Sequence, residues 1–526
     1  MQYYPLTLDK LLEHAAKWHP EAQVVTGAGH DAKPERVTYR TLYDNSRKLS
    51  AAFAQIGLTQ GDRIATLAWN SQAHMECWYA AFGLGIACHT LNPRLGVETI
   101  AAMVRQVGDR LIAISPDQYD LAVELVDACP SLTHIILLEE PGNPVPSFAS
   151  GRATKLSRQQ LLYRSLPSVA WGGFDEQTPA GICFTSGTTG APKGVVYTHR
   201  STYLQTLVLA QRDVIGLGAS DVVLAAVPMF HANAWGLPFA VPSVGARFIL
   251  PGRHLDGASL ARLIADEAVT VAVGIGTVWI SLVDHLDAVG GDLPTLKRVL
   301  IGGAPMSQAL MDRIESRLGV AIQTSWGMTE LSPLGTVTPA DTIERSAMNS
   351  GRPAIGVDLR LTDAEGRPLA QQRNAEGHLQ ARGHSVVDRY LDQENDATDA
   401  EGWFDTGDLA EIATDGTLTI TGRSKDLIKS GGEWINPGEM EAILGTLPQV
   451  GQVAIVGRPH PRWGERPVVV IEQPGDGAEV SDADIAGALE GRVPRWWMPD
   501  AVVRLDQMPL AATGKIDKKQ LRVLVG

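Results

Sequence analysis

The sequence predicts an α/β fold: a large N-terminal domain of two α/β sheet subdomains and a β-rich subdomain over residues 1–424, then a small α+β C-terminal domain over 425–526. Three observations carry this. A chain of 526 residues exceeds what one hydrophobic core supports, so two or three domains are expected. Residues 38–114 alternate helical and strand periodicities, the pattern of βα units around parallel sheet. Near residue 350 the texture changes to short alternating strands, and beyond 425 the chain has helix caps and strands of its own.

The N-terminal stretch reads as a short helix with Leu8, Leu11, Leu12 and Ala15 on one face. It lacks a basic segment followed by an apolar one, so no signal peptide is expected. Residues 39–56 read as an amphipathic helix, 63–69 as a buried strand, 73–85 as a helix and 85–90 as a strand. Residues 139–179, richer in Pro, Ser and Gln, read as surface structure. Strands at 180–184 and 195–198 flank a glycine-rich loop, and a helical run follows His199 and Ser201 as far as Ile215. Strand 222–227 ends in PMFHANAWG, residues 228–236; strands 269–273, 298–301 and 321–324 follow. The β-rich region has strands at 358–361, 378–381 and 409–412, with Asp415-Gly416 as a turn. In the last unit Asn436 caps a helix opened by Pro437 and running to Leu447. Strands at 452–456 and 468–472, a Ser481-capped helix to Gly491, a strand at 502–505 and the loop AATGK at 511–515 complete the chain.

Hydrophobic residues at 44% and charged residues at 20% describe a globular protein with ample core material. A formal net charge of −14 argues against a nucleic-acid surface or a polybasic membrane patch. No run of about 18 apolar residues exists, so no transmembrane segment is expected. Cys77, Cys88, Cys129 and Cys183 have neither metal-ligand spacing nor the density of a disulfide framework. They read as buried thiols in a reducing compartment, the cytoplasm.

Chemistry concentrates in five stretches. The first is TSGTTGAPKG, residues 185–194. Gly187, Gly190 and Gly194 permit turns whose amides can form an anion nest. Thr185, Ser186, Thr188 and Thr189 supply hydroxyls, and Lys193 supplies a point charge. The loop joins two strands and lacks the Gly-Lys-Ser/Thr ending of a Walker A loop. A polyphosphate cradle and an ordinary flexible turn are both open readings of it alone. GGAP, Gly302 to Pro305, and WGMTE, Trp326 to Glu330, follow strands and fall where the crevice of an open α/β sheet lies. FDTGD, Phe404 to Asp408, with GRSKD, Gly422 to Asp426, is the fourth, and ATGK ending at Lys515 the fifth. Taken singly, Asp408 reads as a turn-forming residue, Lys515, Lys518 and Lys519 as a solvated face, and Trp326 and Trp235 as core. For PMFHANAWG a ligand pocket and core packing stay equally open.

The five motifs in this order resemble the adenylate-forming superfamily of acyl-CoA synthetases, luciferases and nonribosomal peptide adenylation domains, over essentially the whole chain. FHANAWG and KSGGEWI look most like bacterial medium- and long-chain fatty-acyl-CoA synthetases. The resemblance implies two half-reactions: a carboxylate attacks the α-phosphate of MgATP, giving acyl-adenylate and pyrophosphate, and the thiol of coenzyme A then displaces AMP. It implies that Thr185, Ser186, Gly187, Thr188, Thr189, Gly190 and Lys193 hold the β- and γ-phosphates. Gly302, Gly303, Ala304 and Pro305 would lie along adenine, with Trp326, Gly327 and Met328 walling it. Thr329 would bond the α-phosphate, and Glu330 with Thr188 would hold Mg²⁺, whose preference is for hard oxygen. Asp408 would accept the ribose hydroxyls and Arg423 donate to the ribose.

The same resemblance makes Lys515 the catalytic lysine of adenylation and Lys429 that of thioester formation. They lie on a mobile C-terminal domain hinged at Lys425. His231 would stand near the acyl carboxylate, and Trp235 would gate the acyl tunnel. Trp326 departs from the tyrosine more common there, and an indole stacks on adenine at least as well. The expected function is an AMP-forming carboxylic acid:CoA ligase for medium- or long-chain fatty acids, with ATP, Mg²⁺ and coenzyme A. Short sulfur-containing, aryl or branched acids, a carrier-protein acceptor, and a non-catalytic nucleotide-binding protein are the alternatives. The resemblance leaves a homodimer open.

Overall fold

The computed structural model describes residues 1–29, 32–139, 152–185, 192–304, 306–343, 345–447, 449–473, 480–511 and 515–526. Among these, two large sheets form the N-terminal body. One runs Thr154–Ser157, His134–Leu137, Leu111–Ile114, Arg63–Leu67, Ala87–Thr90, Pro179–Phe184 and Gly194–Thr198, parallel except for its last pair. The other has Ala321–Gly327, Arg298–Ile301, Val271–Gly274, Val222–Ala225, Arg247–Leu250 and Gln23–Thr26 as its parallel centre, with antiparallel strands at both margins. The strands are near-continuous apolar runs because both faces are covered.

The helices Asp9–Trp18, Tyr39–Gln55, Gln72–Gly83 and Leu237–Ser243 share one core with residues from both sheets. Gln72–Gly83 is buried along its whole length. Trp78 stacks on Phe239 there with ring centres 6.0 Å apart. The first helix buries Leu11, Leu12 and Ala15, the face its periodicity marks.

A separate four-stranded antiparallel sheet, Val357–Thr362, Ala375–Gly383, Phe404–Ile412 and Leu418–Arg423, is the β-rich subdomain. The small C-terminal domain has its own sheet, of Ile428–Ser430, Glu433–Ile435, Val453–His460, Gly464–Glu472 and Ala501–Leu505, with its own core. Helix Pro437–Leu444 of that domain approaches strand Leu418–Arg423 closely, and a Cβ on Gly422 would collide with the Asn436 side chain.

Several boundaries differ from the sequence reading. The helix opened by His199 ends at Leu209, not Ile215: residues 211–215 fold into turns that return the Ile215 N–H to the Leu209 carbonyl, 3.3 Å. The helices read to Leu447 and Gly491 end at Leu444 and Leu489. Lys518 and Lys519 belong to a terminal helix, Lys518–Val525. Lys518 is not simply solvated, since its ammonium pairs with Glu441 at 2.7 Å. Leu521 on the same helix is fully buried.

Candidate active site

The glycine-rich stretch connects two hairpin strands, with Phe184 opposite Gly194. The Thr185 N–H donates to the Lys193 carbonyl, 2.9 Å, which closes the base of the loop. Ser186, Gly187, Thr188, Thr189 and Gly190 lie outside the described residues, as does Pro305. The Lys193 ammonium stands 4.7 Å from the centre of the Tyr390 ring.

Gly302 and Gly303 follow strand Arg298–Ile301 directly. A Cβ on Gly302 would collide with Ser325 Oγ and come within 3.1 Å of the Trp235 ring. Gly303 has φ +86°, a left-handed conformation that glycine adopts without strain. Glycine is therefore required at 302, where the backbone is pressed between Ser325 and Trp235, and favoured at 303 by its left-handed φ. Ala304 beyond them is exposed.

Trp326 and Gly327 end strand Ala321–Gly327 at a bulge. The next turn carries Thr329 and Glu330 and is pinned from three sides. Met328 N–H donates to the Pro333 carbonyl at 2.9 Å, the Tyr197 hydroxyl to the Thr329 carbonyl at 2.8 Å, and Val387 N–H to the Glu330 carbonyl at 2.7 Å. The Tyr390 hydroxyl donates to Glu330 Oε1, 3.0 Å. Burial holds the Glu330 carboxyl above its ordinary pKa, and the Tyr390 bond and the charges of Arg423 and Lys193 oppose that shift.

Asp408 lies on strand Phe404–Ile412, directly opposite Arg423 in the antiparallel ladder. Its side chain is 2% exposed, and Arg423 Nε pairs with Oδ1 at 2.7 Å. Trp326 Nε1 donates to Oδ2 at 2.8 Å. Burial raises the Asp408 pKa, opposed first by Arg423 and then by Trp326 and Lys515. The turn-forming side chain of this segment is Asp405, which accepts from Gly407 N–H at 2.9 Å.

Lys515 completes the constellation. Its ammonium feels Arg423 and Lys425 as like charges and Asp408 and Glu330 as opposite ones. Desolvation, the largest effect, and those two cations lower its pKa to about 8. The residue as a whole keeps exposed surface. His231 is held neutral by burial, with the Lys515 charge acting in the same direction, and its pKa falls to about 4. Lys515 is therefore within electrostatic reach of His231, Glu330, Asp408 and Arg423. Lys429 makes its contacts within the C-terminal domain: its ammonium lies 5.2 Å from the Trp434 ring centre, and its N–H donates to Glu465 Oε2 at 3.2 Å. Lys425 sits in the turn Ser424–Asp426 that leads from Arg423 into that domain.

The residues fit a magnesium nucleotide. Asp408 offers four lone-pair positions, of which the Trp326 and Arg423 bonds use two, leaving acceptors for a diol. Among the described residues no group of three or more His, Cys, Asp or Glu is arranged to hold a metal. A single carboxylate such as Glu330 suits Mg²⁺, which is bound by one or two carboxylates together with substrate phosphates.

A model of the AMP-binding enzyme family matches residues 12–391, and one of the AMP-binding enzyme C-terminal domain matches 439–515. The chain belongs to the AMP-binding enzyme family. It is 38% identical to a 3-methylmercaptopropionyl-CoA ligase of Ruegeria lacuscaerulensis, over 99% of this chain and 98% of the other. It is 36% identical to a medium-chain-fatty-acid–CoA ligase of Ectopseudomonas oleovorans, over 99% and 96%. It is also 35% identical to a long-chain-fatty-acid–CoA ligase of Thermus thermophilus, over 98% and 95%. This AMP-binding enzyme is thus an acid–thiol ligase of the acyl-CoA synthetase class. Its fold matches the anthranilate CoA ligase AuaEII in complex with anthranoyl-AMP, with TM-score 0.87, 22% identity, and coverage of 99% of this chain and 97% of the other. Among the described residues no helix is long and apolar enough to cross a membrane.

Sequence reasoning missed Tyr390, Tyr197 and Ser325, which shape the site without belonging to its motifs. Tyr197 lies on a strand the reading did place, and Ser325 one residue past the strand read at 321–324, which runs on to Gly327. Tyr390 sits in DRYLDQEND, a polar stretch where one aromatic ring among charges was the only signal.

Proposed function

We propose that the enzyme joins a medium- or long-chain fatty acid to coenzyme A by way of an acyl-adenylate, with MgATP as the second substrate. The observation that carries this is Lys515, whose ammonium is within electrostatic reach of Asp408, Glu330 and His231 although it belongs to the C-terminal domain. In the first half-reaction a carboxylate oxygen attacks the α-phosphorus and the bond to the β-phosphate oxygen breaks, releasing pyrophosphate. Lys515 stabilises the charge that builds on the α-phosphate and the attacking oxygen. Neutral His231 orients the carboxylate without adding a charge. Asp408, Arg423 and Trp326 hold the nucleoside, with Gly302, Gly303, Ala304 and Pro305 against the base; Thr329 bonds the α-phosphate. Glu330 and Thr188 would hold Mg²⁺, which would supply charge neutralisation to the phosphates. Residues 425–526 then turn about Lys425 and bring Lys429 to the site. The coenzyme A sulfur attacks the acyl carbon, the acyl–phosphate bond breaks, AMP leaves and the thiol proton passes to solvent.

A second reading keeps this chemistry and changes the acid to a short sulfur-containing one. It is favoured by the relatives named 3-methylmercaptopropionyl-CoA ligase, at 38% and 37% identity. The four buried, free cysteines support a cytoplasmic location. The experiment is a panel of fatty, thioether, aryl and branched acids assayed for AMP release with and without coenzyme A. ADP and orthophosphate as stoichiometric products would overturn the reading.

A further inference from the structure

Tyr390 lies between strands of the β-rich subdomain, yet its segment is tied to elements of both large sheets. Val387 N–H donates to the Glu330 carbonyl at 2.7 Å, and Leu391 N–H donates to the Gly194 carbonyl at 2.8 Å. Between them Tyr390 itself forms an isolated antiparallel bridge with Val195. The segment is therefore clamped at one end to the turn that carries Glu330 and at the other to the strand that leaves the glycine-rich loop. The side chain uses both of its chemistries. Its hydroxyl donates to Glu330 Oε1 at 3.0 Å, and its ring face carries the Lys193 ammonium at 4.7 Å. A hydrogen bond to a carboxylate is of the stronger kind, and a cation over an aromatic face is attracted by the ring quadrupole. Lys193 and Glu330 are a cation and a carboxylate that do not pair with each other among the salt bridges of the described residues. Tyr390 is the group that holds both.

We propose that Tyr390 is a positioning residue for the magnesium-bound triphosphate. Its hydroxyl fixes the rotamer in which Glu330 presents its second oxygen, and its ring holds Lys193 beside the phosphate path until the phosphates take the ammonium over. The inference rests on the ligase reading and adds a residue to it. The two contacts separate cleanly: Tyr390→Phe removes the hydroxyl and keeps the ring, whereas Tyr390→Leu removes both.

The test is calorimetric binding of α,β-methylene-ATP to the full chain, in Mg²⁺ and in EDTA, with AMP binding as control. Tyr390→Phe should weaken the analogue about tenfold in Mg²⁺, the scale of a lost bond to a charged group, and leave affinity in EDTA unchanged. Tyr390→Leu should weaken it in both media. AMP, held by Asp408, Arg423 and Trp326, should bind both variants as it binds the wild type. In a Glu330→Gln background Tyr390→Phe should add nothing further. A wild-type chain that binds no nucleotide would overturn the ligase reading and this inference with it. A wild type that binds better in Mg²⁺, beside a Tyr390→Phe variant indistinguishable from it, would overturn this inference alone. Equal weakening of the analogue in both media and of AMP by Tyr390→Phe would also overturn it, since that marks a general structural role. Should that variant lose its fold, Tyr390→Trp takes its place: it keeps a ring for Lys193, puts no hydroxyl on Glu330, and must show the same magnesium-selective loss.

Discussion

Trp326 donates its indole N–H to Oδ2 of Asp408, 2.8 Å away, while Arg423 occupies Oδ1. The indole is therefore an orienting donor for the Asp408 carboxylate. It is packed so closely on Gly335 that a Cβ there would meet its ring at 2.6 Å. Trp326→Phe keeps an aromatic ring and removes the donor. It should weaken AMP binding by roughly tenfold, the range for a bond to a buried charge. Equilibrium dialysis with labelled AMP measures this, and an unchanged affinity would make the indole a core filler only.

Much of this crevice was legible in the sequence, for a physical reason. Strands buried on both faces are unbroken apolar runs, and Arg298–Ile301 could be read at its true bounds. The motifs could then be placed at strand ends. Pairing was not legible. The Asp408–Arg423 contact depends on ladder register across a hairpin, which no local pattern states. Tyr390 acquires its role from Glu330, 60 residues away, and from Lys193. The turn at Ala232–Gly236 was illegible for another reason: Ala, Asn and Trp give no sign of left-handed backbone.

The backbone of Gly302 makes a second prediction. With Ser325 Oγ on one side and the Trp235 ring at 3.1 Å on the other, a methyl group cannot enter without moving the strand end. A misplacement of about 1 Å can cost about 100-fold in rate. Gly302→Ala should therefore lose pyrophosphate–ATP exchange by about that factor. Adding Ser325→Ala removes one collision, and its hydroxyl bonds only to the Ile301 carbonyl, 3.1 Å, in the described structure. The double variant should recover part of the activity. If it does no better than Gly302→Ala, Ser325 is not the obstacle.

Lys515 and Lys429 should separate the two half-reactions. Lys515→Ala should lose adenylate formation by roughly 100- to 1000-fold, the scale of removing one preorganised charge stabiliser, and still convert a supplied acyl-adenylate. Lys429→Ala should do the reverse. The lowered pKa of Lys515, about 8, adds a signature. The charged form is the active one, so kcat/KM for adenylation should fall as pH rises through about 8 in the free enzyme, far below an ordinary lysine. Loss of the same half-reaction in both variants would refute the turning domain.

Two fully buried histidines, His74 and His199, contribute to the acid stability beside His231. Burial lowers His74 to about 4 and His199 to about 3. His199 Nδ1 accepts from the Leu8 N–H at 3.1 Å, with the ring between Phe82 and Phe174. Each folded pKa lies below the unfolded value, so on acidification the unfolded chain takes up the proton first. The stability from these groups is complete above pH 6.5 and is lost as pH falls toward 4 and 3. The slope is about 1.4 kcal/mol per pH unit for each histidine. His199→Gln keeps an acceptor for Leu8 and cannot titrate, so it should roughly halve this part of the slope. Urea melts across the acidic range test it; an unaltered slope would assign the acid sensitivity to other groups.

Trp235 raises the question of the acyl chain. Ala232, Asn233, Ala234 and Trp235 have φ of +44°, +52°, +48° and +54°, and Gly236 +78°, a full left-handed turn. Each non-glycine residue there costs roughly 1–2 kcal/mol, so packing must sustain the turn. Part of that packing is the Trp235 ring against Gly302 and Gly303. Swinging the ring away would let the turn relax, so the strain favours opening while the ring contact opposes it. An enzyme that takes its acid into an apolar tunnel gains about 0.8 kcal/mol, or about fourfold, per buried methylene. The wild type should therefore show kcat/KM rising with chain length until the tunnel is full. Trp235→Ala should remove the ring contact and make acyl binding less dependent on prior binding of ATP. Adenylation of a short acid should survive, because the nucleotide residues are untouched. A chain-length series on both proteins, read by pyrophosphate–ATP exchange, decides between roles. Equal loss at every length makes Trp235 structural. A wild-type optimum at the shortest acids, with a steep fall beyond, selects the short sulfur-containing substrate over the fatty acid.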